Sequence, residues 1–267
     1  MIICNEEKVN KVNEWNDDTI FVLTDFDRTL TSRDSYVSWD ILSQNSLVSS
    51  DYIEEVNKLF KYYRPIEINE NLSESIRSKY MIEWWNEEIK LFNKYGLNKD
   101  IISNVGSNMD LIKFRKGGYE FLKNMKDRNI PVIIISAGIG DFIENFLKYN
   151  NCYFDNVYVI SNFLKYNNKD IVGFHGDIIH SLNKNIVTLS DNIKDLIELR
   201  NNIILMGDNV ADINMVNVSD RESSLKIGFL EDKIEENKEV FLKNFDVVGI
   251  NNIGFDILSE KVKILKK

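Results

Sequence analysis

An apolar run that ends in two aspartates constrains the fold of this chain more than any other feature. Residues 20–24 (Ile-Phe-Val-Leu-Thr) are followed by Asp25, Phe26 and Asp27. A short, continuously apolar run is typical of a strand buried in a parallel sheet, and ligands bind at the carboxyl edge of such a sheet. Two neighbouring carboxylates repel each other unless a cation or a shared proton relieves the repulsion. The run therefore predicts an α/β fold in which a site for metal-assisted chemistry lies at the carboxyl end of the central strand.

Size and composition favour a core domain that carries a smaller insert. The chain has 267 residues, which is long for one domain and short for two, and 43% of them are hydrophobic. The net charge of −9 disfavours a nucleic-acid polymer as partner, because phosphate backbones bind clustered Lys and Arg. Two separated cysteines, no signal-peptide pattern and no membrane-length apolar run predict a cytoplasmic protein without a membrane partner. The sequence leaves the oligomeric state open.

Short Ile- and Val-rich runs alternate with amphipathic stretches, the pattern of a doubly wound parallel sheet flanked by helices. A hairpin is predicted over residues 171–180, turning at Gly176-Asp177. The predicted strands are residues 20–25, 131–136, 156–161, 203–207 and 245–249.

The segment between the first two predicted strands contains helical runs and no strand run. We therefore predict a catalytic core of residues 1–32 and 114–267, and an inserted helical domain, the cap, of residues 33–113. The longest cap helix is predicted over about residues 73–95, beginning after Ser73.

Residues at two predicted strand ends supply the first requirements of phosphoryl transfer. Asp25 can attack phosphorus, and Asp27, on the same face of an extended chain, can protonate the leaving oxygen. Ser136 ends the second predicted strand and is followed by Ala137 and Gly138 at the entry to a helix. Backbone N–H groups at such an entry can bind phosphate oxygens, so these three residues are predicted to bind phosphate. Ser136 alone would more often be a helix cap than a phosphate ligand, and the glycines that follow it, Gly138 and Gly140, favour the ligand role.

Two further segments supply charge. Lys184 offers a positive charge for the phosphoryl group, although its local pattern is that of a surface lysine. Asp208 and Asp212 follow an apolar run and offer two more carboxylates, which are hard ligands that suit Mg²⁺. Asp212 alternatively caps a helix at this point.

In this order, the motifs resemble those of haloacid-dehalogenase-type phosphatases and, within them, pyrimidine 5′-nucleotidases of the cytosolic 5′-nucleotidase III type. The broader resemblance rests on residues 25–29, Ser136, Lys184 and residues 207–212. The narrower one extends over about residues 20–250, and its most discriminating motif is Ser-Ala-Gly-Ile-Gly-Asp at 136–141. Further matching segments are residues 79–84, 160–163, 179–184 and 225–230.

The resemblance implies a role for each core residue. Asp25 is implied as nucleophile, Asp27 as general acid and base, and Ser136 and Lys184 as phosphate ligands. It also implies a Mg²⁺ ion held by Asp25, the backbone carbonyl of Asp27, Asp208 and, nearby, Asp212.

In the cap, the resemblance implies that a glutamate after a Lys-Tyr-Tyr sequence contacts the base, and Glu67 after residues 61–63 is the candidate. Arg64-Pro65 lengthens the approach to Glu67, which leaves a solvated loop carboxylate as the alternative. Trp84 and Trp85 point to different faces of one helix, so at most one meets the base and the other packs in the core.

The sequence thus predicts a Mg²⁺-dependent phosphomonoesterase that hydrolyses nucleoside 5′-monophosphates, UMP and CMP first, through an aspartyl-phosphate. One alternative keeps the chemistry but acts on phosphoserine or another small phosphomonoester, because cap residues decide the substrate. Another is a binding or regulatory protein without turnover, against which the intact Asp25 and Asp27 argue. His175 and His180 lack metal-ligand partners and are expected to be structural.

Overall fold

The computed structural model describes residues 1–107, 109–184, 189–217, 220 and 223–266. After the cap segment, helical segments separate successive strands of the described chain, as a parallel sheet requires, except that three strands over residues 157–174 follow one another without a helix. In chain order the elements are β1 Ile2–Cys4, α1 Glu6–Val12, β2 Ile20–Thr24, α2 Ser50–Glu67, α3 Glu74–Lys94, α4 Lys99–Gly106, α5 Gly118–Asp127, β3 Val132–Ile139, α6 Gly140–Tyr149, β4 Val157–Asn162, β5 Leu164–Asn167, β6 Asp170–Phe174, α7 Asp191–Ile197, β7 Asn202–Gly207, β8 Ser224–Leu230, α8 Ile234–Asn244, β9 Val247–Ile250 and α9 Phe255–Lys261.

Seven strands form one sheet in the order β1-β9-β8-β7-β2-β3-β4. Neighbouring strands are parallel except β1 and β9, which are antiparallel. From β2 the chain builds the sheet outward through β3 and β4, then crosses to build the other side from β7. The carboxyl end of β2 therefore lies at a topological switch point, where α/β sheets form their ligand sites.

Both faces of the central strand are covered. Val22 of β2 packs in the main core with Ile134 and Ile204, whereas Leu23 packs with Leu205 in a second core on the opposite face. A strand buried on both faces has a continuously apolar sequence, which is why β2 could be predicted. No helix among the described residues is long and apolar enough to cross a membrane.

The predicted doubly wound α/β fold is confirmed, and all five predicted strands are present with ends shifted by at most three residues. The hairpin prediction is wrong. The hairpin consists of β5 and β6, and its chain reverses around Asn168, whose φ of 56° lies in the left-handed region that asparagine tolerates. Gly176 and Asp177 instead form a bend after β6 has ended.

The cap segment contributes α2, α3 and α4, and its two ends meet. Thr31 and Phe114 form an isolated antiparallel bridge, and the Ser32 N–H donates to the Lys113 carbonyl at 2.9 Å. The predicted start of α3 is confirmed, because Ser73 is its N-cap. The division at residues 32 and 114 remains a prediction.

Candidate active site

Asp25 directly follows β2 and is 5% exposed. Its backbone N–H donates to the Met206 carbonyl of β7 at 3.0 Å, which fixes the residue between two strands. Its Oδ1 accepts from Lys184 Nζ at 2.6 Å, and its Oδ2 accepts from Thr29 Oγ1 at 3.2 Å. Burial raises the pKa of Asp25 to about 6, opposed by the Lys184 charge and assisted by that of Asp212. The predicted nucleophile is thus oriented by one ammonium and one hydroxyl.

Asp27 is held by a single residue of the cap segment. The Ser38 N–H donates to Oδ1 of Asp27 at 2.8 Å, and Ser38 Oγ donates to Oδ2 at 2.7 Å. Burial, and then the charge of Asp25, raise the pKa of Asp27 to about 7. A carboxyl group with such a pKa can both donate and accept a proton near neutral pH, as a general acid and base must.

The loop around Ser136 lies against the same aspartate. Ser136 is buried, and its Oγ accepts from the Gly138 N–H at 3.0 Å, so this N–H is turned back onto the loop. A Cβ atom on Gly138 would lie 1.8 Å from Ser38 Oγ and 3.2 Å from Asp27 Oδ2. Glycine is therefore required here for Ser38 to reach Asp27.

The end of β4 fixes the far side of this loop. Asn162 Nδ2 donates to the Ala137 carbonyl at 2.9 Å and to the Ile179 carbonyl at 2.7 Å, while its Oδ1 accepts from the Ile179 N–H at 2.8 Å. Ser161 Oγ donates to the Gly138 carbonyl at 2.9 Å. Asn162 thus ties the predicted phosphate loop to the segment that leads to Lys184.

Lys184 lies buried between two carboxylates. Its Nζ lies 2.6 Å from Asp25 Oδ1 and 2.7 Å from Asp212 Oδ1. Burial by itself would lower the pKa of Lys184, but Asp212 and Asp25 together raise it above the ordinary value, so the ammonium stays charged. Asp212 Oδ2 accepts from the Asn209 N–H at 3.0 Å, which completes a capping box on the 3₁₀ helix Val210–Met215. Asp212 therefore both caps a helix and pairs with Lys184, while its metal role stays a prediction.

Three carboxylates converge near the end of β2. Asp25, Asp208 and Asp212 each present an oxygen within 4.8 Å of the others. Burial, and then the charges of Asp25 and Asp212, raise the pKa of Asp208 well above its ordinary value. No residue in the described part of the chain donates a hydrogen bond to the Asp208 carboxylate. An excess of carboxylate oxygens over one ammonium fits a hard divalent cation such as Mg²⁺. The Asp27 side chain faces Ser38, which leaves its backbone carbonyl as the implied ligand.

A cavity of about 370 Å³ connects these aspartates with the cap. Its cap end is lined mainly by aromatic and acidic side chains, together with Arg64. The aromatic and acidic ones are Trp39, Phe60, Trp84, Trp85, Asp40, Glu67 and Glu88.

The three residues predicted to contact the base, Glu67, Trp84 and Trp85, all line this cavity. Each of them also contacts another side chain of the protein. Glu67 Oε1 accepts from Ser181 Oγ at 2.6 Å, and its Oε2 pairs with Arg64 Nη1 at 2.5 Å. Trp84 stacks on Tyr63 with ring centroids 5.6 Å apart. Trp85 packs edge-on against Phe174 of β6, at 5.3 Å. Their roles toward a base remain predictions.

Three residues of the site escaped the sequence analysis. Ser38 stands in a segment without periodic pattern, so nothing local indicates that it reaches Asp27. Asn162 lies in the matching segment 160–163, to which the sequence analysis assigned no role. Glu88 follows Trp84 by one helical turn, and this spacing could have indicated it. Burial lowers the pKa of His180 to about 4, and its Nδ1 accepts from the Leu182 N–H at 3.2 Å. His180 also lines the cavity, and its expected structural role stays a prediction.

The central strand of this parallel sheet is followed by two aspartates, and the later connections add a serine, a lysine and further aspartates. This arrangement defines a phosphohydrolase of the haloacid-dehalogenase-like fold. The family model described as "Pyrimidine 5′-nucleotidase (UMPH-1)" matches residues 21–266. The chain belongs to this family. It is a 5′-nucleotidase, as the sequence predicted.

Similar proteins agree with this assignment. A 7-methylguanosine phosphate-specific 5′-nucleotidase B of Xenopus laevis is 33% identical over 266 residues, covering 95% of this chain and 90% of its own length. The protein of that name from Homo sapiens is 31% identical, with 95% and 87% covered. The crystal structure of cytosolic 5′-nucleotidase IIIB bound to cytidine superimposes with a TM-score of 0.84 at 26% identity, covering 99% of this chain and 93% of that one.

Proposed function

We propose that this 5′-nucleotidase is Mg²⁺-dependent and hydrolyses pyrimidine nucleoside 5′-monophosphates and 7-methyl-GMP, with CMP ahead of UMP. The observation that carries the proposal is the cavity, which runs from the aspartates after β2 to an aromatic and acidic end in the cap. Its volume of about 370 Å³ lies within the range of small-ligand sites.

The chemistry of the cap end favours a base that presents N–H donors. Aromatic rings offer any base a stacking surface, so they add affinity with little selectivity. Carboxylates accept hydrogen bonds only, and Glu67 and Glu88 therefore favour amino groups. A cationic base gains further from carboxylates and aromatic faces. Cytosine carries an exocyclic amine and 7-methylguanine carries both an amine and a positive charge, which is in keeping with the names of the similar proteins.

The residues of the site suggest a two-step reaction. Asp25 attacks phosphorus while the bond to the ribose O5′ breaks and Asp27 gives its proton to O5′. Water then attacks the phosphorus of the aspartyl-phosphate, Asp27 takes a proton from that water, and release of inorganic phosphate restores Asp25. Lys184 offsets negative charge on the phosphoryl oxygens. Asp25, Asp208 and the Asp27 carbonyl would hold Mg²⁺, which when bound adds further positive charge at the phosphoryl group.

Phosphate release from a substrate panel tests the proposal. The panel comprises CMP, UMP, 7-methyl-GMP, GMP, phosphoserine and p-nitrophenyl phosphate, each with Mg²⁺ or with EDTA. We expect kcat/KM to be highest for CMP and 7-methyl-GMP and activity to disappear in EDTA. Fastest turnover of phosphoserine, or full activity in EDTA, would contradict the proposal.

A further inference from the structure

We propose that Arg28 binds the phosphate of the incoming substrate before that phosphate reaches Asp25 and Lys184, and thereby lowers the KM of the enzyme. This inference rests on the phosphoryl-transfer step of the proposed function and is independent of the choice of nucleotide. It concerns the phosphate group alone, which every substrate of such a site carries.

The backbone of Arg28 is fixed directly after the candidate acid and base, Asp27. The Arg28 N–H donates to Thr31 Oγ1 at 2.8 Å, and its carbonyl accepts from the buried guanidinium of Arg115. From this fixed backbone the Arg28 side chain reaches the lining of the cavity, yet 45% of the side chain is exposed to solvent. The guanidinium is thus accessible both to the cavity and to an anion that arrives from solution.

The ion-pair partner of Arg28 lies outside the cavity. Arg28 Nη1 donates to Asp232 Oδ2 at 2.9 Å, while Arg33 pairs with the other oxygen of Asp232, also at 2.9 Å. Asp232 does not belong to the cavity lining. A guanidinium carries five N–H donors, so one bond to a shared carboxylate leaves Arg28 with donors for a second anion. Exposed ion pairs contribute little free energy, so a phosphate dianion can compete with Asp232.

The other cations among the described cavity residues are paired inside the cavity. Lys184 lies between two carboxylates of the lining, and Arg64 pairs with Glu67 at 2.5 Å. Within the described lining, Arg28 is therefore the cation whose partner is not itself part of the lining. A phosphate that enters can bind Arg28 without displacing a carboxylate of the site.

The charge of Arg28 acts at both ends of the cavity. Burial raises the pKa of Asp40, in the cap segment, and the charge of Arg28 opposes this rise. At the sheet edge, burial and neighbouring carboxylates raise the pKa of Asp208, and Arg28 is one of two cations that oppose this rise. The guanidinium is thus close enough to both ends to attract an anion that moves between them. Such attraction raises the local concentration of an oppositely charged substrate.

The substitution Arg28→Gln tests this role because it removes the charge and keeps an unbranched side chain. Arg33→Gln is the matched control, since Arg33 pairs with the same Asp232, is 44% exposed and does not line the cavity. The assay measures kcat and KM for CMP and for p-nitrophenyl phosphate with Mg²⁺. Each measurement is made at about 0.05 M and at about 0.5 M salt, because salt screens exposed charges.

We expect Arg28→Gln to raise KM roughly fivefold for both substrates at the lower salt concentration and to leave kcat within about twofold, because the lost contact precedes the chemical step. The rise in KM should shrink at the higher salt concentration. Arg28→Lys, which keeps the charge, should restore most of the wild-type KM. Asp232→Asn removes the competing carboxylate and should lower KM, which is the opposite sign. Arg33→Gln should leave KM within about twofold of the wild type.

A KM within twofold of the wild type for both substrates in Arg28→Gln would overturn the assignment. A rise in KM for CMP alone would also overturn it, because Arg28 would then contact the nucleoside. An equal rise in Arg33→Gln or in Asp232→Asn would do the same, because the exposed ion pair would then act only through the fold. If the wild type hydrolyses p-nitrophenyl phosphate and no nucleotide, the proposed function fails, whereas the KM for p-nitrophenyl phosphate still decides the role of Arg28.

Discussion

Removal of the Ser38 hydroxyl should slow the protonation of the leaving group and little else. Ser38→Ala deletes the 2.7 Å hydrogen bond to Asp27 Oδ2 and retains the 2.8 Å bond from its backbone N–H to Oδ1. A hydrogen bond to a charged group contributes about 1.5–3 kcal/mol. Since one of the two bonds survives, we take the lower end of this range, which corresponds to roughly tenfold in kcat. Alanine also fits, because it removes the hydroxyl and adds no atom.

Two substrates with different leaving groups test this prediction. The ribose O5′ of CMP needs a proton to depart, whereas p-nitrophenolate departs without one. We therefore expect kcat to fall about tenfold for CMP and by less than about twofold for p-nitrophenyl phosphate, with KM nearly unchanged in both cases. Asp27→Asn should lose roughly 10²–10⁴-fold on CMP and should also slow turnover of p-nitrophenyl phosphate, because Asp27 activates the water that hydrolyses the aspartyl-phosphate formed from either substrate. Ser46→Ala, at an exposed position of the cap segment, is the control. An equal loss on both substrates in Ser38→Ala would refute the reasoning, as would no loss on CMP.

Two further predictions concern metal binding and stability. Asp208→Ala should raise the Mg²⁺ concentration for half-maximal activity more than Asp212→Ala does. Asp212→Ala should lower the melting temperature more, because it removes one of the two carboxylates that pair with Lys184 and also a capping box. Mg²⁺ titrations and thermal melts of both variants check this, and equal Mg²⁺ responses would count against it. Arg115→Ala should cost about 3–5 kcal/mol in urea unfolding, because it leaves Glu231 without the partner now 2.6 Å away in a site where Arg115 is 0% exposed. A cost below about 1 kcal/mol would contradict it.

Strands buried on both faces were predictable because their burial requires an apolar run, as in β2, β3 and β7. β8 was missed because Lys226 interrupts its apolar pattern, and β1 because three residues give no period. The hairpin was misplaced because Gly176-Asp177 is the stronger turn signal, yet Asn168 supplies the left-handed residue. The local turn-forming residues predicted the wrong turn, because the pairing of β5 with β6 determines where the chain reverses.

The residues of the candidate site also differ in how well the sequence predicted them. Asp25 and Asp208 directly follow strands and Asp27 lies two residues after Asp25, so a local pattern placed them at the sheet edge, where the structure brings Asp25 and Asp208 together with Asp212. Ser38 belongs to the cap segment, and its position beside Asp27 depends on tertiary packing that no short motif encodes. Glu88 lies one helical turn after Trp84, so that contact is local, but its place at the cavity depends on how α3 packs.

Substitution of the nucleophile tests the central claim most directly. Asp25→Asn keeps the shape of the side chain but replaces the attacking carboxylate oxygens by an amide, which is a poor nucleophile. The measurement is inorganic phosphate release from CMP and 7-methyl-GMP with Mg²⁺, for the wild type and for a variant shown by thermal melting to be folded. We predict turnover by the wild type and none by Asp25→Asn. Retention of more than a few per cent of the wild-type rate in the folded variant would exclude Asp25 as the nucleophile and contradict the account.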